Sequence, residues 1–112
     1  MLLSTDIWVG ALIRRAELGG AFATVGRKGD ARAGAVLVKV VDRRAGTARL
    51  YGEATRGDGE RFWMQPVRSL FEPDLDAYVE RAARIDPDVW LIEIEDREGR
   101  HFLTEPVEPD PA

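Results

Sequence analysis

The run Ala35-Val36-Leu37-Val38-Lys39-Val40-Val41 is apolar or β-branched at every position but one. β-Branched side chains lose rotamer freedom in a helix and pack well on a pleated surface. Such a run, apolar on nearly both faces, suits an interior strand. An interior strand needs neighbours, and the flanking sequence supplies them. Arg44-Ala45-Gly46 reads as a three-residue hairpin loop ending in a left-handed Gly. That loop pairs Arg43 with Thr47, Val40 with Leu50 and Lys39 with Tyr51, so apolar residues meet on one face. Near the end of the chain, Val89 to Glu95 alternates, with Trp90, Ile92 and Ile94 on one face and Leu91, Glu93 and Glu95 on the other. Arg97-Glu98-Gly99 repeats the loop pattern, pairing Ile94 with Phe102 and Glu95 with His101. Ala21–Val25 and Arg61–Val67 are further strand candidates, with Pro66 marking an edge or an end.

Two amphipathic helices complete the pattern. Ser4-Thr5-Asp6 offers N-cap side chains before Trp8, Val9, Leu12, Ile13 and Ala16, which share one face, and Gly19-Gly20 stops the helix. Pro73 opens the second helix, where a missing N–H costs nothing. Leu75, Tyr78, Val79, Ala82 and Ile85 form its apolar stripe, and Asp86-Pro87-Asp88 ends it. The expected architecture is α+β, in the order α-β-β-β-β-α-β-β. Five to six mostly antiparallel strands carry both helices on one face. The expected core face is Val38, Val40, Leu50, Trp90, Ile92, Ile94 and Phe102. One domain spans 1–104, and the Pro- and acid-rich residues 105–112 form a disordered tail.

Composition narrows the function. In 112 residues, 45% are apolar and 32% charged, an ordinary globular balance. The absence of cysteine removes disulfides, thiolate nucleophiles and Cys-based metal sites, and fits a reducing compartment. Net charge is −4 with both signs interspersed and no basic stripe, which disfavours nucleic acid as a partner. Arg14 and Arg15 interrupt the first apolar stretch, so neither a signal peptide nor a membrane span is expected. These features point to a cytoplasmic protein.

Several blocks are familiar. Ser4-Thr5-Asp6-Ile7-Trp8-Val9 with Ala11-Leu12-Ile13-Arg14-Arg15 opens the chain. Lys28-Gly29-Asp30, Ala33-Gly34-Ala35-Val36 and Val38-Lys39-Val40 follow. Asp86-Pro87-Asp88-Val89-Trp90, Ile92-Glu93-Ile94-Glu95-Asp96-Arg97 and Gly99-Arg100-His101-Phe102 close it. Together, over roughly Leu3 to Leu103, they resemble a family of small bacterial proteins, mostly alphaproteobacterial, classed as a domain of unknown function. The resemblance implies a bacterial cytosolic protein and carries no activity, cofactor or catalytic residue.

Among candidate chemical groups, His101 is the only histidine. In the expected register it faces Glu95, with Glu93 beside it and Asp96 near. A carboxylate neighbour raises a histidine pKa and makes an acid–base pair, while the plainer reading is an exposed cross-strand pair. A lone histidine gives no metal-ligand spacing, and no cofactor is expected. Arg27-Lys28-Gly29-Asp30 offers backbone N–H groups and two basic side chains to an anion, or is simply a polar loop. Arg56-Gly57-Asp58 is a Gly-rich turn. With both helices on one face, the opposite face carries Leu37, Lys39, Tyr51, Leu91, Glu93 and His101, with Trp63 on either side. That mixture resembles an interface. The leading expectation is a non-enzymatic binding or protein-interaction module, self-associating through this open face or an edge strand. The alternatives are a small acid–base enzyme built on His101 and an anion-binding regulator built on Arg27 and Lys28.

Overall fold

In the computed structural model, which describes residues 3–108, the apolar run becomes strand β2 (Val36–Asp42), buried at every position but the last. The chain order is α1 (Thr5–Leu18), β1 (Phe22–Arg27), β2, β3 (Thr47–Thr55), β4 (Arg61–Met64), α2 (Glu72–Ile85) and β5 (Trp90–Glu95). The five strands form one sheet in the order β1-β5-β2-β3-β4. Every pairing is antiparallel except β2 with β5. That parallel pair follows from the connection: after β4 the chain passes through α2 and returns to lay β5 along β2 in the same direction. The result is an α+β fold with two helices and a mostly antiparallel sheet.

The helices do not share a face. α1 places Trp8, Val9, Leu12 and Ala16 against Val36, Val38, Val40, Ile92 and Ile94. α2 places Leu75 and Val79 against Leu37, Val41, Leu50 and Leu91, which point the other way. The arrangement is helix, sheet, helix. Its cause is β2 itself: a strand apolar on both faces leaves Leu37 and Val41 in water unless a second layer covers them. The open face expected from the sequence is therefore occupied by α2.

Both hairpin expectations need correction. The first exists, but its register is Asp42↔Thr47, Val40↔Arg49, Lys39↔Leu50 and Val38↔Tyr51. The loop is four residues, Arg43–Gly46, because the Asp42 carboxylate accepts hydrogen bonds from the N–H groups of Arg44 and Ala45. Gly46, at φ 70°, closes it by donating to the Asp42 carbonyl. One extra loop residue moves Leu50 to the α2 side and Tyr51 to the α1 side. The second hairpin is absent. Both edges of β5 are already taken, by β1 and β2, so residues 97–104 have no edge to pair with. They fold back over the α1 side of the sheet, where Phe102 packs against the core without a strand partner and His101 does not face Glu95.

The tail expected to be disordered from Glu105 is docked over Glu105–Glu108. Trp63 N–H donates to the Pro106 carbonyl at 2.8 Å, and Glu108 N–H donates to the Trp63 carbonyl at 2.7 Å. Val107 thereby forms a parallel bridge with Trp63 on the outer edge of β4. The remainder of that expected tail, 109–112, lies outside the described residues. At α1, Ser4 occupies the N-cap position but bonds Asp6 rather than the backbone. The N–H groups of Thr5 and Asp6 donate instead to the carbonyls of Arg32 and Ala31.

Candidate functional site

The carboxylates grouped with His101 in the sequence are separated in the structure. Glu95 pairs with Arg43. Asp96 is buried in the turn after β5, where it accepts hydrogen bonds from the Glu98 and Arg100 N–H groups and from the Arg100 guanidinium. The Arg100 hydrogen bond, against the opposing effect of burial, holds the Asp96 carboxyl below its ordinary range. Glu93 lies on the α2 side, 3.7 Å from Lys39. None of these groups reaches His101 to form an acid–base dyad.

Lys39 is 3% exposed, and its ammonium sits 2.6 Å from Asp76 and 2.9 Å from Glu72, both on α2. Burial, the largest influence, lowers its pKa. The hydrogen bonds to Asp76 and Glu72 and the charge of Glu93 outweigh burial and raise it above the ordinary value. This cluster ties α2 to the sheet rather than facing a partner.

In the Arg27–Asp30 loop, Arg27 Nε is buried without a hydrogen-bond partner among the described residues, but Asp30 is bonded within the chain. Asp30 accepts hydrogen bonds from the N–H groups of Arg32 and Ala33, so a carboxylate of the chain already fills the place an anion would take. The Asp30 carbonyl accepts the Trp90 indole N–H at 2.8 Å. Gly29 and Gly34 allow the close approach, since a Cβ at either would collide with the Asp88 carbonyl oxygen. Arg27 donates to the Pro87 carbonyl, and Lys28 is exposed. Trp63 is fully buried, stacked on Trp8 at 5.3 Å between ring centroids, and presents no partner surface.

What the fold does assemble is a cleft of about 950 Å³ between β3 and the folded-back C-terminal segment. Arg49 and Tyr51, two apart on β3 and so on one face, form its floor, and His101, Phe102, Pro106 and Val107 line the wall. The Tyr51 and His101 rings meet edge to face at 5.2 Å. His101 Nδ1 accepts the Leu103 N–H at 2.9 Å, which leaves the proton of the neutral ring on Nε2. Burial pushes the His101 pKa below its ordinary value. Burial likewise raises the Tyr51 phenol, against the opposing charge of Arg49. Both groups are thus neutral donors at neutral pH.

The wall of the cleft is fixed by an unusual backbone. Phe102 has φ 61°, the only non-Gly residue with positive φ among those described. Arg15 donates from Nε and Nη2 to its carbonyl at 3.1 and 3.0 Å, and the Arg100 guanidinium lies over its ring at 4.9 Å. The ring packs so closely on Gly19 that a Cβ there would overlap it. Such a conformation persists only where its surroundings over-determine it. Glu105 holds the far end, accepting the indole N–H of Trp63 at 3.1 Å and of Trp8 at 3.4 Å. Sequence reasoning missed Arg49 and Glu105. The signal for Arg49 was its position two before Tyr51; Glu105 lay in the stretch read as tail.

Comparison with known proteins locates the chain without assigning it chemistry. The model of a family described as a protein of unknown function, DUF1491, matches residues 3–104. A crystal structure of a DUF1491 family protein from Caulobacter crescentus CB15 is 89% identical, with TM-score 0.94 over 96% of this chain and 100% of that one. An NMR structure of a DUF1491 family protein from the same organism, also 89% identical, gives a TM-score of 0.91 over 96% of this chain and 98% of that one. A solution structure of a protein from A. tumefaciens is 34% identical, with TM-score 0.82 over 97% and 98% of the two chains. No curated protein matches the sequence.

Proposed function

The chain belongs to the DUF1491 family of proteins of unknown function, and we propose that it is a non-enzymatic binding module, one domain over residues 1–104, that takes its ligand in the Arg49–Tyr51–His101 cleft. The observation that carries this reading is His101 itself. It is half-buried in a concave site, committed through Nδ1 to the Leu103 N–H, and has no carboxylate partner among the described residues. A histidine so held donates from Nε2 but is poorly placed to shuttle protons. The dispersal of Glu93, Glu95 and Asp96 to Lys39, Arg43 and Arg100 weighs against the acid–base enzyme. The Asp30 carboxylate inside the Arg27–Asp30 loop weighs against an anion site there. A bacterial cytosolic setting accompanies the proposal, supported by the cysteine-free composition. No helix among the described residues is long and apolar enough to cross a membrane.

The test is a small-fragment screen of the full chain by NMR. Hits are expected to move the resonances of Tyr51, His101 and Phe102 together, and Tyr51→Ala to weaken them. Hits gathering elsewhere, or none at this cleft, would count against the reading.

A second reading concerns self-association. The outer edge of β1 has no strand partner among the described residues, and Phe22 and Val25 on it are 62% and 44% exposed. An unpaired edge carrying exposed apolar side chains is a template for a second copy of the same strand.

A further inference from the structure

Among the described residues, the charges around the cleft are matched with one exception. Glu105 is held by the two indole N–H groups and lies 3.9 Å from Arg61. Glu108 pairs with Arg56, and Arg100 with Asp96 and Glu98. Arg49, half-buried on the floor, has neither ion pair nor side-chain hydrogen bond among the described residues. A guanidinium left unmatched in a partly desolvated site calls for a planar anion, which its fork meets with two parallel hydrogen bonds.

The other groups narrow the class. Tyr51 and the Nε2 side of His101 are neutral donors, suited to an anion's remaining oxygen lone pairs. Phe102, Pro106 and Val107 add apolar surface, backed by the Tyr51 ring, which is itself only 2% exposed. A single free cation among the described residues of the cleft, with Glu98, Glu105 and Glu108 close by, matches one negative charge and repels a second. The fixed Phe102 backbone means that the surface is formed before the ligand arrives.

We propose that the cleft binds a small monocarboxylate carrying a flat apolar body, with the carboxylate on Arg49 and the ring against His101 and Phe102. This rests on the reading of the cleft as the binding site and adds the ligand's chemical class. A phosphate monoester is excluded by its second charge, and a neutral ring lacks the group that Arg49 requires.

The experiment is an NMR titration of the full chain at pH 7.5 with benzoate, benzamide and phenyl phosphate in parallel. Benzoate is expected to move Tyr51, His101 and Phe102 with a roughly millimolar dissociation constant, the range for so few atoms. Benzamide should bind there at least about tenfold more weakly, the loss of a charge-assisted bidentate contact. Arg49→Gln should bring benzoate down to the benzamide level without altering benzamide, and Arg49→Lys, which keeps charge but not the fork, should fall between. Benzamide or phenyl phosphate binding the cleft as well as benzoate does would overturn the ligand class and leave the site standing. So would full benzoate affinity in Arg49→Gln. No response at the cleft to any of the three would overturn both the class and the site.

Discussion

A lysine almost closed off from water keeps its charge only when anions are held against it. Lys39 has Asp76 and Glu72 in contact and Glu93 at 3.7 Å, and the side chains of these acids are 53%, 39% and 38% exposed. The two signs are therefore not equivalent. Removing the cation leaves carboxylates that water can reach; removing the anions leaves a buried ammonium with one distant partner. Glu72→Gln combined with Asp76→Asn is expected to cost about 3 kcal/mol, the scale for breaking a buried pair from one side. Lys39→Met should cost about 1 kcal/mol. Urea denaturation of both variants checks the order, and the reverse order would contradict it. The sequence marked Lys39 as the one polar interruption of an apolar run, but not its meaning. Its acids come from α2 and β5, and nothing local to residue 39 announces them. Trp63 was ambiguous for the same reason: Phe62 and Met64 make its strand apolar on both faces, and its environment is decided by distant residues, Trp8 on α1 and Glu105 in the docked segment.

At the scale of elements, α1, β2, α2 and β5 lie close to where periodicity and punctuation put them, because each is specified by its own residues. Pairing was less legible. The Asp42 side chain lengthened one loop by a residue and reversed the faces of Leu50 and Tyr51. The hairpin after β5 was locally plausible, down to Gly99 at φ 70°, but β1 had already taken the edge it needed. Long-range competition for an edge leaves no trace in either segment. β1 shows the opposite case, an outer edge with no strand partner among the described residues. If that edge is the contact between two copies, sedimentation equilibrium of the full chain will show a concentration-dependent mass, and Phe22→Lys, which places a charge on the exposed edge, will give a monomer throughout. A wild-type chain that remains monomeric over the whole concentration range would contradict the contact.

The molecule as a whole is a sheet clasped between two helices, with its C-terminal segment folded over the part of the α1 side that α1 does not cover. That second layer was latent in β2, whose apolar residues face both ways, yet the pattern alone did not say which helix goes where. The folded-back segment converts the α1 side of β3 into a cleft, the site of the proposed binding. Everything then turns on the state of one ring. As a fixed donor, His101 is neutral, with its proton on Nε2, and its pKa lies below the ordinary value. The unfolded chain then takes up the proton first. The ring's contribution to stability is therefore complete above about pH 6.5 and is lost as pH falls from there through the folded value. The direct measurement is a pH titration of the His101 ring nitrogens in the full chain by NMR. The account predicts the Nε2–H tautomer at neutral pH and a midpoint below 6.5. A midpoint at or above 6.5, or the Nδ1–H tautomer, would mean that His101 is exposed or coupled to a carboxylate, and would contradict the binding-module reading.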